Sequence, residues 1–256
     1  MASKQLRGET DKPQGYLREY ERAFAAIVDG EVKILELGVH KAGSLFMWRD
    51  YFPKGPVVGL DVNAVQINDP TGRIHVYQGY QQDTALLTRI AQEQARGGFD
   101  VIVDDASHIG ELTAISFCHL FKYHLKPGGI YAIEDWGTGY WSGHSFYPDG
   151  RRVRGGGEVV DSVGRGSLLE TGLRWLSKRG IVKRTAALRR LLSPYEYASH
   201  FNSHEYGMPG FIKQLVDECG VYDITHPTWG KPPQRPSRIS RMIVSAGLVI
   251  VFKASE

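Results

Sequence analysis

VKILELGVHKAGS, residues 32–44, decides the fold. A β-branched apolar run flows into a glycine turn and then into helical spacing, which reads as a strand delivering its carboxyl end to a tight loop. In an open α/β sheet, ligands collect at such ends. The glycines let the backbone approach the ligand, and the next helix offers free N–H groups. The spacing is E-x-G-x-x-x-x-G, not the G-x-G-x-x-G of a dinucleotide site, so a pyrophosphate ligand loses weight. Glu36, Gly38, Gly43 and Ser44 become candidate cofactor contacts, although an ordinary tight strand-to-helix connection would use the same glycines.

Outward from this loop, short β-branched runs alternate with helical stretches, the pattern of a parallel sheet covered on both faces. A helix is expected around Leu17 to Val28, then the strand Val32–Leu37, a helical stretch near Ser44 to Tyr51 and a second strand at Val57–Asp61. A third strand lies near Ile74–Tyr77, and a helix from Asp83 to Ala95 leads to a fourth at Phe99–Val103. The helix Glu111–Leu125, ended by Lys126-Pro127-Gly128-Gly129, delivers a fifth strand at Ile130–Ile133. The final apolar runs, Ile239–Ser245 and Leu248–Phe252, joined by Ala246-Gly247, read as an antiparallel hairpin closing the sheet. The fold class is therefore α/β: a Rossmann-like, doubly wound, mostly parallel seven-stranded sheet with an antiparallel C-terminal strand.

The rhythm breaks after Asp135. Residues 137–170 are rich in Gly, Arg and aromatics, and a loop this long in a compact domain is usually functional. Residues 1–256 are read as one domain with a substrate-side insertion or lid at 137–207. Another helix is expected from Tyr206 to Gly220, followed by the Pro-rich HPTWGKPPQRPSR.

Composition excludes several classes. Hydrophobic residues make up 42% and charged residues 23% of the 256, which suits a globular protein and not a fibrous or disordered one. No apolar run approaches the roughly 18 residues needed to span a bilayer. The opening MASKQLRGETDKPQG has no apolar signal stretch, so a cytoplasmic location is expected. Cys118 and Cys219 sit in apolar helical patterns and are expected as buried free thiols. A net charge of +3 is too small to argue for nucleic acid. The basic excess is local: residues 174–190 carry seven Lys and Arg and no acid, which fits a solvated amphipathic helix or contact with an anionic partner.

Gly59-Leu60-Asp61 closes the second strand roughly 20 residues after the glycine turn, where an acid can accept hydrogen bonds from ribose hydroxyls. Gln82 and Asp83 follow the third strand and could surround an adenine, while Asp83 is equally suited to cap the next helix. This order of acidic-glycine loop, second-strand acid and polar residues after the third strand resembles class I S-adenosylmethionine-dependent methyltransferases over roughly residues 30–136. The resemblance implies S-adenosylmethionine as cofactor.

The fourth strand ends in Asp104-Asp105-Ala106-Ser107-His108 and the fifth in Glu134-Asp135. Four carboxylates converging at neighbouring strand ends repel one another, and a shared hard cation relieves that. Oxygen ligands suit Mg²⁺, Mn²⁺ or Ca²⁺, with Mg²⁺ (or Mn²⁺) favoured. A cation answers a chemical need if the acceptor is an alcohol, whose pKa near that of water, about 15.7, makes it a poor nucleophile at neutral pH. His108, with an ordinary pKa of about 6.5, is placed to act as general base.

The pair of motifs D-D-A-S-H and E-D-W, with ELGVHKAGSLFMW, resembles the metal-dependent macrolide-sugar O-methyltransferases. That resemblance implies Asp105, Glu134 and Asp135 as metal ligands, His108 as base and Asp104 as a supporting or cofactor-side residue. It implies methylation of a sugar hydroxyl on a natural-product deoxysugar, or on a mannoside or polysaccharide as in actinobacterial methylmannose polysaccharide synthesis. The expected partners are thus a sugar-containing small molecule or oligosaccharide and further copies of the chain in a homo-oligomer. Catechol O-methyltransferases share the logic, but typically carry Lys where His108 stands and Asp-Asn where Glu134-Asp135 stands. Iron-dependent hydroxylases similar to cephalosporin hydroxylase share the sheet.

Trp136, Tyr140, Trp141, His144, Phe146 and Tyr147 offer a stacking wall for a sugar or aromatic ligand, or simple lid packing. His200 and His204 fit substrate contact or capping better than a metal pair, and His40 fits a structural or cofactor-adjacent place.

Overall fold

The computed structural model describes residues 10–140, 207–221 and 235–255. Most of the expected insertion, the basic stretch 174–190, and Trp141, His144, Phe146, Tyr147, His200 and His204 lie outside the described residues.

Seven strands form one sheet in the order β3-β2-β1-β4-β5-β7-β6. They are β1 Ile34–Leu37, β2 Val57–Asp61, β3 Ile74–Gln78, β4 Phe99–Asp104, β5 Leu125–Glu134, β6 Ile239–Val244 and β7 Leu248–Lys253. The first five pair in parallel, and β7 is antiparallel to both β5 and β6. This is the doubly wound, mostly parallel sheet with a reversed C-terminal strand, β7, that the sequence pattern predicts.

Five helices cover it among the described residues: α1 Gln14–Phe24, α2 Gly43–Tyr51, α3 Thr84–Gln94, α4 Gly110–Tyr123 and α5 Gly207–Gly220. A short 3₁₀ turn, Trp136–Tyr140, follows β5. Side chains alternate between sheet faces, so each central strand feeds two cores. Ile34, Val101, Val103, Ile130 and Ala132 pack with Tyr20, Phe24 and Trp48 from α1 and α2. Leu35, Leu37, Ile102, Tyr131 and Ile133 pack with residues of α3, α4 and α5, among them Leu87, Phe117 and Phe211. Among the described residues, no helix is long and apolar enough to cross a membrane.

Three expectations shift. The first helix begins at Gln14, directly after Pro13, and ends at Phe24. The fourth helix stops at Tyr123, and β5 already begins at Leu125, which pairs with Phe99. The residues expected to break the helix, Lys126 to Gly129, instead form an irregularity within the strand before pairing resumes at Ile130 opposite Val101. Cys118 is exposed and Cys219 half-buried, not enclosed as expected. Apolar spacing placed Cys118 on the core face of α4, but the helix turns Phe117, Leu120 and Phe121 inward instead.

Candidate active site

Strand register builds the site. Leu37 is level with Asp104 on β4, and Asp104 with Ile133 on β5. Asp105 therefore comes level with Glu134, and alternation sends Asp104 and Asp105 to opposite faces. Asp104 turns toward α4 and Glu134 toward α1, so the acidic strand ends are divided between two environments.

Asp104 is fully buried and accepts from Ser116 Oγ at 2.8 Å, Tyr131 Oη at 3.0 Å and Gln81 Nε2 at 3.2 Å. Burial pushes its pKa up to about 6, against the pull of the Ser116 and Tyr131 donors. Gln81 also accepts from the Ser107 N–H at 2.9 Å through Oε1. This knot ties the buried Asp104 to the loop that carries Asp105 and His108.

On the other face, Lys12 Nζ lies 2.9 Å from Asp105 Oδ2, 2.7 Å from Glu134 Oε1 and 3.0 Å from Glu36 Oε1. Tyr20 Oη donates to Glu134 Oε1 at 2.7 Å, and Tyr16 Oη to Asp135 Oδ1 at 2.8 Å. Tyr16 and Tyr20 are one turn apart on α1, which lines them up against the ends of β4 and β5. Burial, reinforced by the neighbouring carboxylates, raises both phenol pKa values, so both remain donors. Burial opposes the charge on Lys12, but Glu36, Glu134 and Asp105 outweigh it and hold the ammonium protonated. One ammonium serves three carboxylates, so burial, only partly countered by Lys12, pushes the pKa values of Glu36 and Glu134 above the usual range.

The remaining oxygens face outward. Asp105 Oδ1 and Asp135 Oδ2 each lie 3.9 Å from His108 Nε2. That is too long for a hydrogen bond. His108 and Asp135 both hold left-handed backbone, at φ 54° and 51°. Such conformations are strained for residues other than glycine and persist where the surroundings impose them, often at functional sites. Thr138 Oγ1 donates to the His108 carbonyl at 3.2 Å, tying the 3₁₀ turn to the β4 loop.

Two groups of ligand atoms thus come together: Asp105, His108 and Asp135 outside, and Glu36, Asp105 and Glu134 inside. The expected trio Asp105, Glu134 and Asp135 is split between them, because Glu134 faces Lys12 and Tyr20.

The glycine loop is braced from within. Gly38 has φ +81°, and a Cβ there would run into the Asp105 carbonyl and lie 2.7 Å from Ala106 Cα. Only glycine lets the β1 loop pass so close to the β4 loop. Glu36 is enclosed, accepting from Ser44 Oγ at 2.6 Å, so both residues hold the loop's shape. Gly43 opens α2 behind Ala42, which is itself left-handed. Asp61 accepts from the N–H groups of Val39 and His40 at 3.0 Å and of Asn63 at 2.8 Å. Partial burial opposes its ionisation, but these donors prevail and keep its pKa low. These donors clamp the carboxylate at the end of β2 against the glycine loop. Asp83 caps α3 by accepting from the Leu86 N–H at 3.0 Å, and Gln82 is half-buried beside it. His40 is exposed on the loop, and the Trp136 indole donates to the Ser245 carbonyl at 2.8 Å, which ties it to the hairpin.

Sequence reasoning did not find Lys12, Tyr16, Tyr20 or Thr138. The available signal was charge balance: converging carboxylates demand a cation, and a side chain can supply one as well as a metal can.

No protein-family model matches the chain. Among curated proteins it is 40% identical over 143 residues to mycinamicin VI 2''-O-methyltransferase of Micromonospora griseorubida, covering 53% of this chain and 35% of that protein. It is 36% identical over 210 residues to an 8-demethyl-8-(2-methoxy-alpha-L-rhamnosyl)-tetracenomycin-C 3'-O-methyltransferase of Streptomyces olivaceus, covering 79% of this chain and 46% of that one. The matched stretches thus span less than half the length of these relatives. The MycE methyltransferase of the mycinamycin biosynthetic pathway, solved with Mg, SAH and mycinamycin VI, superimposes with a TM-score of 0.58 at 28% identity over 93% of this chain and 48% of that one. The chain has the seven-stranded α/β fold of the S-adenosylmethionine-dependent methyltransferases, and in sequence it is similar to their branch that methylates sugars of natural products.

Proposed function

We propose that this chain is an S-adenosylmethionine- and Mg²⁺-dependent O-methyltransferase acting on a sugar hydroxyl of a natural-product glycoside. The observation that carries the reading is the placement of Asp105 Oδ1 and Asp135 Oδ2, each 3.9 Å from His108 Nε2, at the strand ends of a methyltransferase sheet. The similar proteins support it: they are sugar O-methyltransferases, and MycE was solved with Mg and SAH.

Bound, the cofactor supplies an electrophilic methyl, and a divalent ion on Asp105 and Asp135 lowers the pKa of a neighbouring hydroxyl. The rest falls to the chain. Asp61 and the Gly38–Ser44 loop hold the nucleoside end of the cofactor at the carboxyl ends of β1 and β2. Tyr16 pins Asp135 through Oδ1 and leaves Oδ2 outward, as Lys12 does for Asp105. His108 Nε2 stands beside both free oxygens and takes the hydroxyl proton. Glu134, the third expected ligand, gives Oε1 to Lys12 and Tyr20, which leaves Oε2 for the ion. Much of the rate comes from alignment of donor methyl and acceptor oxygen.

Labelled S-adenosylmethionine incubated with macrolide deoxysugars, mannosides, glucosides and catechols, with and without Mg²⁺, tests the reading. Transfer to a glycoside that stops in EDTA is expected. Undiminished transfer in EDTA would remove the ion, and preference for a catechol would remove the sugar.

A further inference from the structure

The buried half of the acidic cluster already contains a cation. Glu36, Asp105 and Glu134 bring carboxylate oxygens within 4.8 Å of one another, a grouping able to hold a metal. Lys12 Nζ stands in that place, at 2.7–3.0 Å from one oxygen of each. The side chains of Lys12, Glu36 and Glu134 are 2%, 0% and 3% exposed. An ammonium has three N–H bonds, and here three carboxylates surround it. Glu36 Oε1 has no hydrogen-bond partner among the described residues, and its ion pair with Lys12 is what balances it.

We propose that Lys12 is the resident cation of this inner pocket: it occupies the position of a second divalent ion, restricts the cluster to one, and positions Asp105. Nζ and a metal ion cannot share the space between the same three oxygens. Asp105 belongs to both groups, and Lys12 takes its Oδ2 while Oδ1 stays turned toward His108 Nε2. Lys12 precedes α1, and Tyr16 and Tyr20 on that helix reach Asp135 and Glu134, so the N-terminal segment sets the cluster as one unit. Without the ammonium, the inner carboxylates are buried and uncompensated, a condition that a hard divalent ion relieves.

The outer ion in this account rests on the proposed function; the inner one does not. Mn²⁺ titration followed by electron paramagnetic resonance separates them, using wild type and Lys12→Met. Wild type is expected to bind one Mn²⁺ per chain, and Lys12→Met one more than wild type. The increment tests Lys12, whatever the wild-type count, while a wild-type count of zero sinks the outer site alone. An unchanged count in folded Lys12→Met overturns the proposal, as do two ions in wild type. Should Lys12→Met not fold, Lys12→Gln, neutral but still a donor, is expected to show the same gain, and an unchanged count there overturns the proposal equally.

Discussion

Asp105→Asn is expected to slow methyl transfer by on the order of 10³-fold, since an ion at a reacting oxygen contributes several kcal/mol and each factor of ten is about 1.4 kcal/mol. Asp105 is the one residue common to both groups of ligand atoms. Its Oδ2 is held by Lys12 and its Oδ1 is open toward His108, so the change removes charge from both sides at once. Mg²⁺ affinity measured by calorimetry is expected to fall in parallel with turnover, while S-adenosylmethionine affinity stays near wild type. Turnover within tenfold of wild type, in folded protein, would mean that Asp105 does not hold the ion.

His108→Ala is expected to lower turnover by about 10²- to 10⁴-fold, the usual contribution of a positioned general base, and to leave Mg²⁺ and cofactor affinity unchanged. His108 is half-buried and has no hydrogen bond from Nε2 to either carboxylate, the nearest oxygens being 3.9 Å away. Its left-handed backbone, tethered by Thr138, holds it in that position at some conformational cost. The split between turnover and binding separates a base from a ligand: a large loss of Mg²⁺ affinity in His108→Ala would place the imidazole on the ion.

The sheet was legible because its signals are local. Val32 to Ser44 carries strand, turn and helix within thirteen residues, and the β-branched runs at Val57 and Phe99 repeat the pattern. The C-terminal reversal followed from two apolar runs joined at Ala246-Gly247. There Gly247 has φ +81°, and any side chain would strike the Tyr16 hydroxyl. The acidic strand ends were legible as a cluster, but their division was not read from it. Alternation along β4 and β5 sends Asp104 toward Ser116 and Tyr131 and Glu134 toward α1, and this parity was present in the sequence once the strand register was known. Lys12 was not legible. It lies 93 residues before Asp105 and 122 before Glu134, in a segment with no periodic signal, and only tertiary packing brings it among the carboxylates. Cys118 shows the opposite error, a local apolar pattern overruled by which face of α4 meets the sheet.

Anomalous diffraction from crystals soaked in Mn²⁺ tests the central claim most directly. The account predicts one strong peak per chain, within bonding distance of Asp105 Oδ1 and Asp135 Oδ2 and beside the His108 ring, with Lys12 still seated among Glu36, Asp105 and Glu134. A peak between Glu36 and Glu134 with Lys12 displaced, or no peak at Asp105 and Asp135 under saturating Mn²⁺, would contradict it.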